Sequence, residues 1–151
     1  ELLEKPIPEE CFKAALARFN RRDDEARPNM QFVPGSLEFI RAIHRDYFTA
    51  VVTGTPETVI RQTTAFHELD QYFNIVRGSP DRKTEIIASL LSESSFQSGE
   101  CVFIGDGKTD QDAADHHEIR FAGIHRELSS FDPEKAWRTV EDLNQLIPLP
   151  T

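Results

Sequence analysis

Short apolar runs alternate with helical stretches from about residue 32 onward, and this alternation restricts the possible folds more than any other feature. The runs near 47–53, 73–77, 101–105 and 120–124 are rich in β-branched and aromatic residues, which is typical of strands. Between the second and third runs, apolar doublets recur one helical turn apart and predict a helix over 83–93. Such alternation indicates parallel strands with helices packed outside them. We therefore predict an α/β fold built on a parallel sheet.

The first 31 residues stand apart because they precede this alternation and are expected to be helical. Pro8 is expected to open a helix that carries Phe12 and Phe19 on one face. The polar stretch NRRDDEARPN that follows is interpreted as a connection. The sequence therefore predicts two domains, residues 1–31 and residues 32–151.

Two more helix boundaries are predicted from local signals. Ser36 is expected to be the N-cap of the helix that follows the sequence VPGS. Near the end of the chain, Asp132 and Pro133 are expected to cap a terminal helix with Trp137 and Val140 on its apolar face.

The negative charge of the chain limits the kinds of partner it can bind. The net charge is −9 and the sequence pI is about 5.0, so we expect no nucleic-acid partner, which would require a basic patch. No apolar run approaches the length of a membrane span, so no membrane partner is expected. Cys11 and Cys101 have no metal-ligand spacing and are interpreted as buried thiols in a reducing compartment, which predicts a cytoplasmic location.

Chemically reactive side chains follow three of the predicted strands. Thr53 and Gly54 come directly after the first strand, where a hydroxyl beside the free N–H groups of a helix suits a phosphate. Lys83 begins a helix, although a helix N-terminus disfavours cations, which hints at an anionic partner. Asp106 and Asp110 follow the strand CVFIG, and two converging carboxylates suit a hard cation such as Mg²⁺. Parallel strands bring their carboxyl ends to one edge of a sheet, so a metal-assisted phosphate site is predicted there.

Each of these residues also has a structural interpretation. Thr53 is the kind of residue that forms turns, and a lone lysine on a helix is usually solvated. Asp106 alone could be a turn residue, and Asp110 alone an N-cap. A calcium-binding loop starting at Asp110 is excluded, because such a loop would need glycine where Asp115 stands.

The order of these groups resembles that in the haloacid dehalogenase-like hydrolases, most of which are Mg²⁺-dependent phosphatases. VVTG is similar to the second motif of this family, GSPDRK to the third and FIGDGKTD to the fourth. The similarity extends from about Phe32 to the predicted C-terminal helix, which is most of the chain. A response-regulator receiver domain uses the same residue types in another order, so it fits poorly.

The resemblance implies a fold and a role for each residue. It implies a Rossmann-like core over residues 32–151 and part of a small helical cap over residues 1–31. It implies that Thr53 and Gly54 bind the phosphate and that Lys83 neutralises charge during catalysis. It also implies that Asp106 binds Mg²⁺, with Asp110 as a second metal-site residue.

One motif of the family is missing from this sequence. The first motif is an Asp-x-Asp after an apolar strand in the middle of the sheet, between the strands that end at Thr53 and Asp106. Its first Asp is the nucleophile that forms an aspartyl-phosphate. The only Asp-x-Asp in this sequence, at residues 110–112, lies in the fourth motif. We therefore expect that the chain starts inside the cap and that the first central strand is missing from it.

The resulting functional hypothesis is a phosphatase acting on a small phosphorylated metabolite, with its nucleophile outside these 151 residues. These residues alone are expected to be inactive. Without the central strand, the strands ending at Thr53 and Asp106 must either pair directly or leave a gap. One alternative is a catalytically inactive phosphate-binding module with a regulatory or interaction role, and another is a phosphonatase or mutase of the same family.

Overall fold

The computed structural model describes residues 8–149 as five strands, five α-helices and short 3₁₀ turns. The strands form two parallel sheets, one of two strands in the order β1-β2 and one of three in the order β3-β4-β5. The predicted α/β fold with parallel strands and flanking helices is confirmed. The strands are β1 (Ala50–Pro56), β2 (Ile75–Ser79), β3 (Val102–Gly105), β4 (Arg120–Ile124) and β5 (Arg138–Val140).

The helices lie between the strands as the alternation predicts. The helix predicted over 83–93 is observed with those bounds, and the helix after β3 begins between Asp106 and Asp110 as the site requires. The α-helices are α1 (Glu9–Ala26), α2 (Ser36–Ile43), α3 (Glu57–Phe66), α4 (Lys83–Glu93) and α5 (Lys108–His116). The 3₁₀ turns cover Arg27–Asn29, Asp70–Tyr72, Ser98–Glu100 and Leu143–Leu146.

Helices cover both faces of the three-stranded sheet. On one face, Phe39 of α2 packs in a buried cluster with Ala122 and Ile124 of β4, and Val102 and Ile104 of β3 pack against that cluster. The other face of the same strands belongs to a second cluster, built from Ile87 of α4, Ala113 and Ala114 of α5, and Phe121 of β4. Because successive strand residues point to opposite faces, this division places α2 on one side of the sheet and α4 with α5 on the other.

The two sheets are not joined by main-chain pairing within residues 8–149. β1 pairs with β2, and β3 pairs with β4, so the direct pairing of β1 with β3 that the sequence left open is not formed. β1 also starts at Ala50, three residues later than its apolar run predicts, because Tyr47 and Phe48 stay exposed.

Three local predictions are wrong. The terminal helix is absent from the described residues: Arg138–Val140 forms β5, which pairs with β4, and the 3₁₀ turn Leu143–Leu146 follows. Gly35, in the left-handed conformation at φ 73°, is the N-cap of α2 in place of Ser36. Cys11, predicted to be buried, is exposed.

The chain divides into two compact units, with the boundary between Gln31 and Phe32. In the first unit, α1 extends to Ala26 through most of the stretch that was interpreted as a connection, and Arg27 pairs with Asp23 and Asp24 beyond its end. The α1 residues from Glu9 onward are all at least partly exposed. The interpretation of this unit as part of a cap stays a prediction. No helix within residues 8–149 is long and apolar enough to cross a membrane.

Candidate active site

The carboxyl end of β1, where its pairing with β2 is irregular between Val52 and Pro56, presents a hydroxyl and an open glycine. The Thr53 hydroxyl oxygen accepts a hydrogen bond from the Thr55 backbone N–H at 3.2 Å and donates to the Thr55 hydroxyl at 3.3 Å. Gly54 is exposed, and a Cβ built on it would meet no atom within 4 Å. The backbone at Gly54 is therefore open to close approach by a ligand.

The neighbouring end of β2 is fixed to the carboxyl end of β1 and the start of α3 by close backbone packing. A side chain on Gly78 would collide with the backbone oxygen of Thr55 and lie 2.9 Å from the backbone nitrogen of Glu57, so only glycine fits there. Arg61 donates a hydrogen bond to Glu57 at 2.9 Å. This bond is the main reason why the pKa of Glu57 is lowered, with further contributions from the charges of Arg61 and Arg77 and from the Gly78 backbone.

Lys83, the first residue of α4, reaches across to the start of α5. Its Nζ lies 2.5 Å from Asp110 Oδ1 and donates to the Thr109 hydroxyl at 3.3 Å. The Lys83 and Asp110 side chains are only 20% and 11% exposed, so this ion pair is largely shielded from water. The contact joins the amino end of α4 to the amino end of α5.

Asp110 also holds the turn after β3. Its second carboxylate oxygen accepts a hydrogen bond from the Gly107 backbone N–H at 3.0 Å. A Cβ on Gly105 would lie 2.5 Å from the carboxyl carbon of Asp110, so glycine is required for Asp110 to pack against the end of β3. Asp110 is thus bound at both oxygens, and Asp106 between these glycines is exposed.

The segment after β4 fixes the same turn from the opposite side. The Ser130 backbone N–H donates to the Asp106 carbonyl at 3.0 Å, and the Ser130 hydroxyl accepts from the Lys108 N–H at 3.0 Å. Gln111 is 3% exposed and exchanges two hydrogen bonds with the Asp132 backbone, at 2.8 Å and 2.9 Å. These contacts hold the Asp106 turn between two segments that are distant in sequence.

The structure brings together some of the predicted site residues. Lys83 and Asp110 are in direct contact. Thr53 makes its hydrogen bonds to Thr55, and none within residues 8–149 joins it to Lys83 or Asp106. Sequence reasoning missed Ser130, which lies in no motif, and Gln111, which lies in the fourth motif, because their partners are backbone atoms far along the chain.

The fit of these residues to Mg²⁺ is partial. Asp106 is exposed, and its carboxylate makes no hydrogen bond or ion pair with another residue of 8–149, so it suits a hard cation as one oxygen ligand. Asp110 already accepts bonds at both oxygens and fits better as support. Within residues 8–149, no three His, Cys, Asp or Glu side chains cluster as a complete metal site would require.

Solved structures share this fold. A haloacid dehalogenase-like family hydrolase from Streptococcus pneumoniae aligns with a TM-score of 0.77 and 13% identity, covering 94% of this chain and 70% of that protein. A predicted phosphoglycolate phosphatase from Haemophilus somnus aligns with a TM-score of 0.78 and 20% identity, covering 95% of this chain and 68% of its own. A HAD phosphatase from Thermococcus onnurineus aligns with a TM-score of 0.72 and 20% identity. This alignment covers 85% of this chain and only 62% of that protein.

The sequence itself carries the family signal. A search of curated protein sequences gives no match. The model of the haloacid dehalogenase-like hydrolase family matches residues 2–124, which include the carboxyl ends of β1, β2 and β3 and the residues that follow β2 and β3. With the parallel sheets and the shared fold of the solved structures, this match shows that the chain belongs to the haloacid dehalogenase-like hydrolase family.

Proposed function

We propose that this chain provides the phosphate-binding and metal-binding part of a Mg²⁺-dependent phosphatase that acts on a small phosphorylated metabolite. The observation that carries the proposal is the position of Lys83, a shielded cation at the amino end of α4 that contacts Asp110 near the amino end of α5. A helix N-terminus disfavours a cation unless an anion offsets the charge. Asp110 offsets part of it, and a phosphate would add to that effect.

Lys83 keeps the capacity to bind a further anion. An ammonium group has three N–H donors. Among the contacts within residues 8–149, Asp110 and Thr109 accept two of them, which leaves one for a phosphate oxygen. Because Asp110 and Thr109 fix the ammonium group, little side-chain freedom would be lost when a phosphate binds.

The carboxyl end of β1 supplies the second part of the proposed phosphate site. Gly54 is open to approach, and its backbone N–H would donate to a phosphate oxygen. The Thr53 hydroxyl now donates to the Thr55 hydroxyl at 3.3 Å, and it would donate to a second phosphate oxygen in place of that bond while still accepting from the Thr55 N–H. Phosphoryl transfer depends mainly on positioning and charge stabilisation, which are the roles that these groups would fill.

Asp106 would bind Mg²⁺, and Asp110 would support the site through Lys83 and the turn at Gly107. The cation would offset phosphate charge during transfer. The covalent step requires an in-line nucleophile, which we propose is an aspartate outside these 151 residues. Asp106 is assigned to the metal and Asp110 is bound at both oxygens, so neither is suited to that role.

Titration of inorganic phosphate by calorimetry tests the binding site. Lys83→Ala should weaken phosphate binding by about 1.5–3 kcal/mol, or roughly 10- to 150-fold, as expected for a hydrogen bond to a charged group. Lys135→Ala removes the same charge from an exposed lysine and is the matched control. Equal affinity of the Lys83→Ala variant and the unaltered chain would remove Lys83 from the site.

An activity assay separates the phosphatase from the alternative of an inactive binding module. With Mg²⁺ and an aryl phosphate, the 151 residues should show no turnover, and an N-terminally extended version that carries an Asp-x-Asp should be active. Turnover by the short chain would contradict the proposal that the nucleophile lies elsewhere. Inactivity of the extended version, with phosphate binding retained, would favour the binding module.

A further inference from the structure

A cavity of about 500 Å³ opens beside the carboxyl end of α2, and we call it the amino-edge cavity. Its lining comes from the end of α2 with the turn that follows, and from Gln71 and Tyr72 of a 3₁₀ turn. These segments precede the parallel strands β1 and β2, so the cavity lies at the amino edge of the two-stranded sheet. It is therefore separate from Thr53 and Lys83, which lie at the carboxyl edge.

The amino-edge cavity is positively charged in a chain that is strongly negative. The whole chain carries a net charge of −9. In the lining of the cavity, Arg41 and Arg45 supply two positive charges and Asp46 supplies one negative charge, and His44 adds a group that can accept a proton. The local charge therefore favours an anion, which the rest of the surface would repel.

The two arginines of the cavity are exposed and unpaired. The guanidinium groups of Arg41 and Arg45 make no hydrogen bond or ion pair with another residue of 8–149. They stand four residues apart, and a hydrogen bond from the Tyr47 N–H to the Ile43 carbonyl at 3.0 Å continues the helical turn past α2. Like charges at this spacing on a helical turn repel each other, so an anion bound between them would remove a cost.

Two rings of the lining are held in place by the chain itself. His44 Nδ1 lies 2.9 Å from the Arg41 carbonyl oxygen, so this nitrogen carries a hydrogen and fixes the ring at the end of α2. The His44 ring meets the Tyr72 ring edge-on, with 5.0 Å between the ring centres. The Tyr72 carbonyl accepts a hydrogen bond at 2.6 Å from the hydroxyl of Thr49, which is buried. The Tyr72 hydroxyl makes no hydrogen bond within residues 8–149 and is available to a ligand.

The dipole of α2 offers an explanation of the arginines that needs no ligand. Cations near the carboxyl end of a helix interact favourably with its last carbonyl groups. This interaction accounts for the charge, but it does not account for an unpaired phenol hydroxyl beside a cavity of the size that small molecules occupy. The dipole alone predicts an effect of the arginines on stability, whereas a ligand site predicts saturable binding.

We propose that the amino-edge cavity binds a small molecule that carries a diphosphate group, with Arg41 and Arg45 each binding one of the two phosphates. A guanidinium presents paired N–H donors whose geometry matches phosphate oxygens, and two unpaired guanidinium groups suit two linked phosphates. The Tyr72 hydroxyl would donate a further hydrogen bond. The inference does not depend on the phosphate site proposed at Lys83, because the two sites lie at opposite edges of the sheet.

Inorganic pyrophosphate, titrated into the whole chain without metal and followed by NMR, tests the proposal. The amide resonances of His44, Arg45 and Tyr72 should shift and saturate. Inorganic phosphate should bind there at least about tenfold more weakly, because it loses one guanidinium contact. Glutarate, a dicarboxylate, should also bind more weakly. No saturable shift, equal affinity for phosphate, or tighter binding of glutarate would overturn the proposal.

Matched variants locate the site. Arg41→Gln combined with Arg45→Gln should weaken pyrophosphate binding at least about tenfold, and circular dichroism should show that this variant is folded, because both side chains are exposed. Arg21→Gln combined with Arg22→Gln removes the same charge from exposed positions of α1 and should leave the affinity unchanged, as should Lys83→Ala. An equal loss in both double variants would indicate non-specific attraction and overturn the proposal. A change in stability without a loss of binding would assign the arginines to the helix dipole and overturn it as well.

Discussion

The ion pair between Lys83 and Asp110 should contribute measurably to the stability of the chain. Lys83→Met removes the cation and leaves the Asp110 carboxylate in a shielded position. The carboxylate then keeps its hydrogen bond from the Gly107 N–H. Asp110→Asn removes the charge and keeps an oxygen that can still accept from Gly107. The two variants and their combination form a double-mutant cycle, which isolates the energy of the pair.

The expected coupling energy follows from the exposure of the two side chains. Exposed ion pairs contribute about 0.2–1 kcal/mol, whereas removing one partner of a fully buried pair costs about 3–5 kcal/mol. The Lys83 and Asp110 side chains are 20% and 11% exposed, so the pair lies between these limits. We expect a coupling energy of about 2 kcal/mol, measured by urea unfolding followed by circular dichroism at neutral pH.

The control cycle uses Lys108 and Asp112, whose side chains are 69% and 56% exposed and whose charged atoms lie 2.7 Å apart. Its coupling energy should be far smaller than that of the Lys83–Asp110 pair, because water screens exposed pairs one helical turn apart. If the Lys83–Asp110 coupling were as small as this control, the argument that shielding strengthens the pair would be refuted.

Four further variants test other parts of the site. Gly105→Ala should destabilise the chain by about 1–3 kcal/mol because its Cβ would displace Asp110, whereas Gly54→Ala, where space is open, should change stability by less than about 0.5 kcal/mol. Glu57→Gln should cost about 0.2–1 kcal/mol at pH 7; because the pKa of Glu57 is lowered from 4.5, this difference should shrink as the pH falls below that value, and a constant difference would contradict it. Gln111→Leu should cost about 1–3 kcal/mol in urea unfolding, since it removes two part-buried hydrogen bonds between the Gln111 side chain and the Asp132 backbone.

The sequence predicted elements well where one pattern dominated. The helix Lys83–Glu93 has consecutive apolar doublets one turn apart, and no competing strand pattern is present. The end of the chain was predicted wrongly, because the spacing of Trp137 and Val140 also fits one face of a helix. β5 forms instead because Arg138–Val140 pairs with β4, and such a distant partner is invisible in a local pattern.

The site was predictable to a similar degree. Motif spacing placed Lys83 and Asp110 near each other, because loops at the carboxyl ends of parallel strands share one edge. The pair of hydrogen bonds between the Gln111 side chain and the Asp132 backbone was not predictable, since the backbone of any residue can bind a buried side-chain amide. The residues that position the site are therefore harder to identify from sequence than the charged residues within it.

The intrinsic fluorophores are divided between the two sheets. Trp137, the single tryptophan, lies beside β5, packs against the α2-side cluster and carries the Arg138 guanidinium 4.5 Å from its ring centre. The two tyrosines, Tyr47 and Tyr72, precede β1 and β2. Indole emission therefore reports on the three-stranded sheet and phenol emission on the two-stranded sheet. Fluorescence recorded at the two emission wavelengths in one sample can reveal whether the two sheets unfold together.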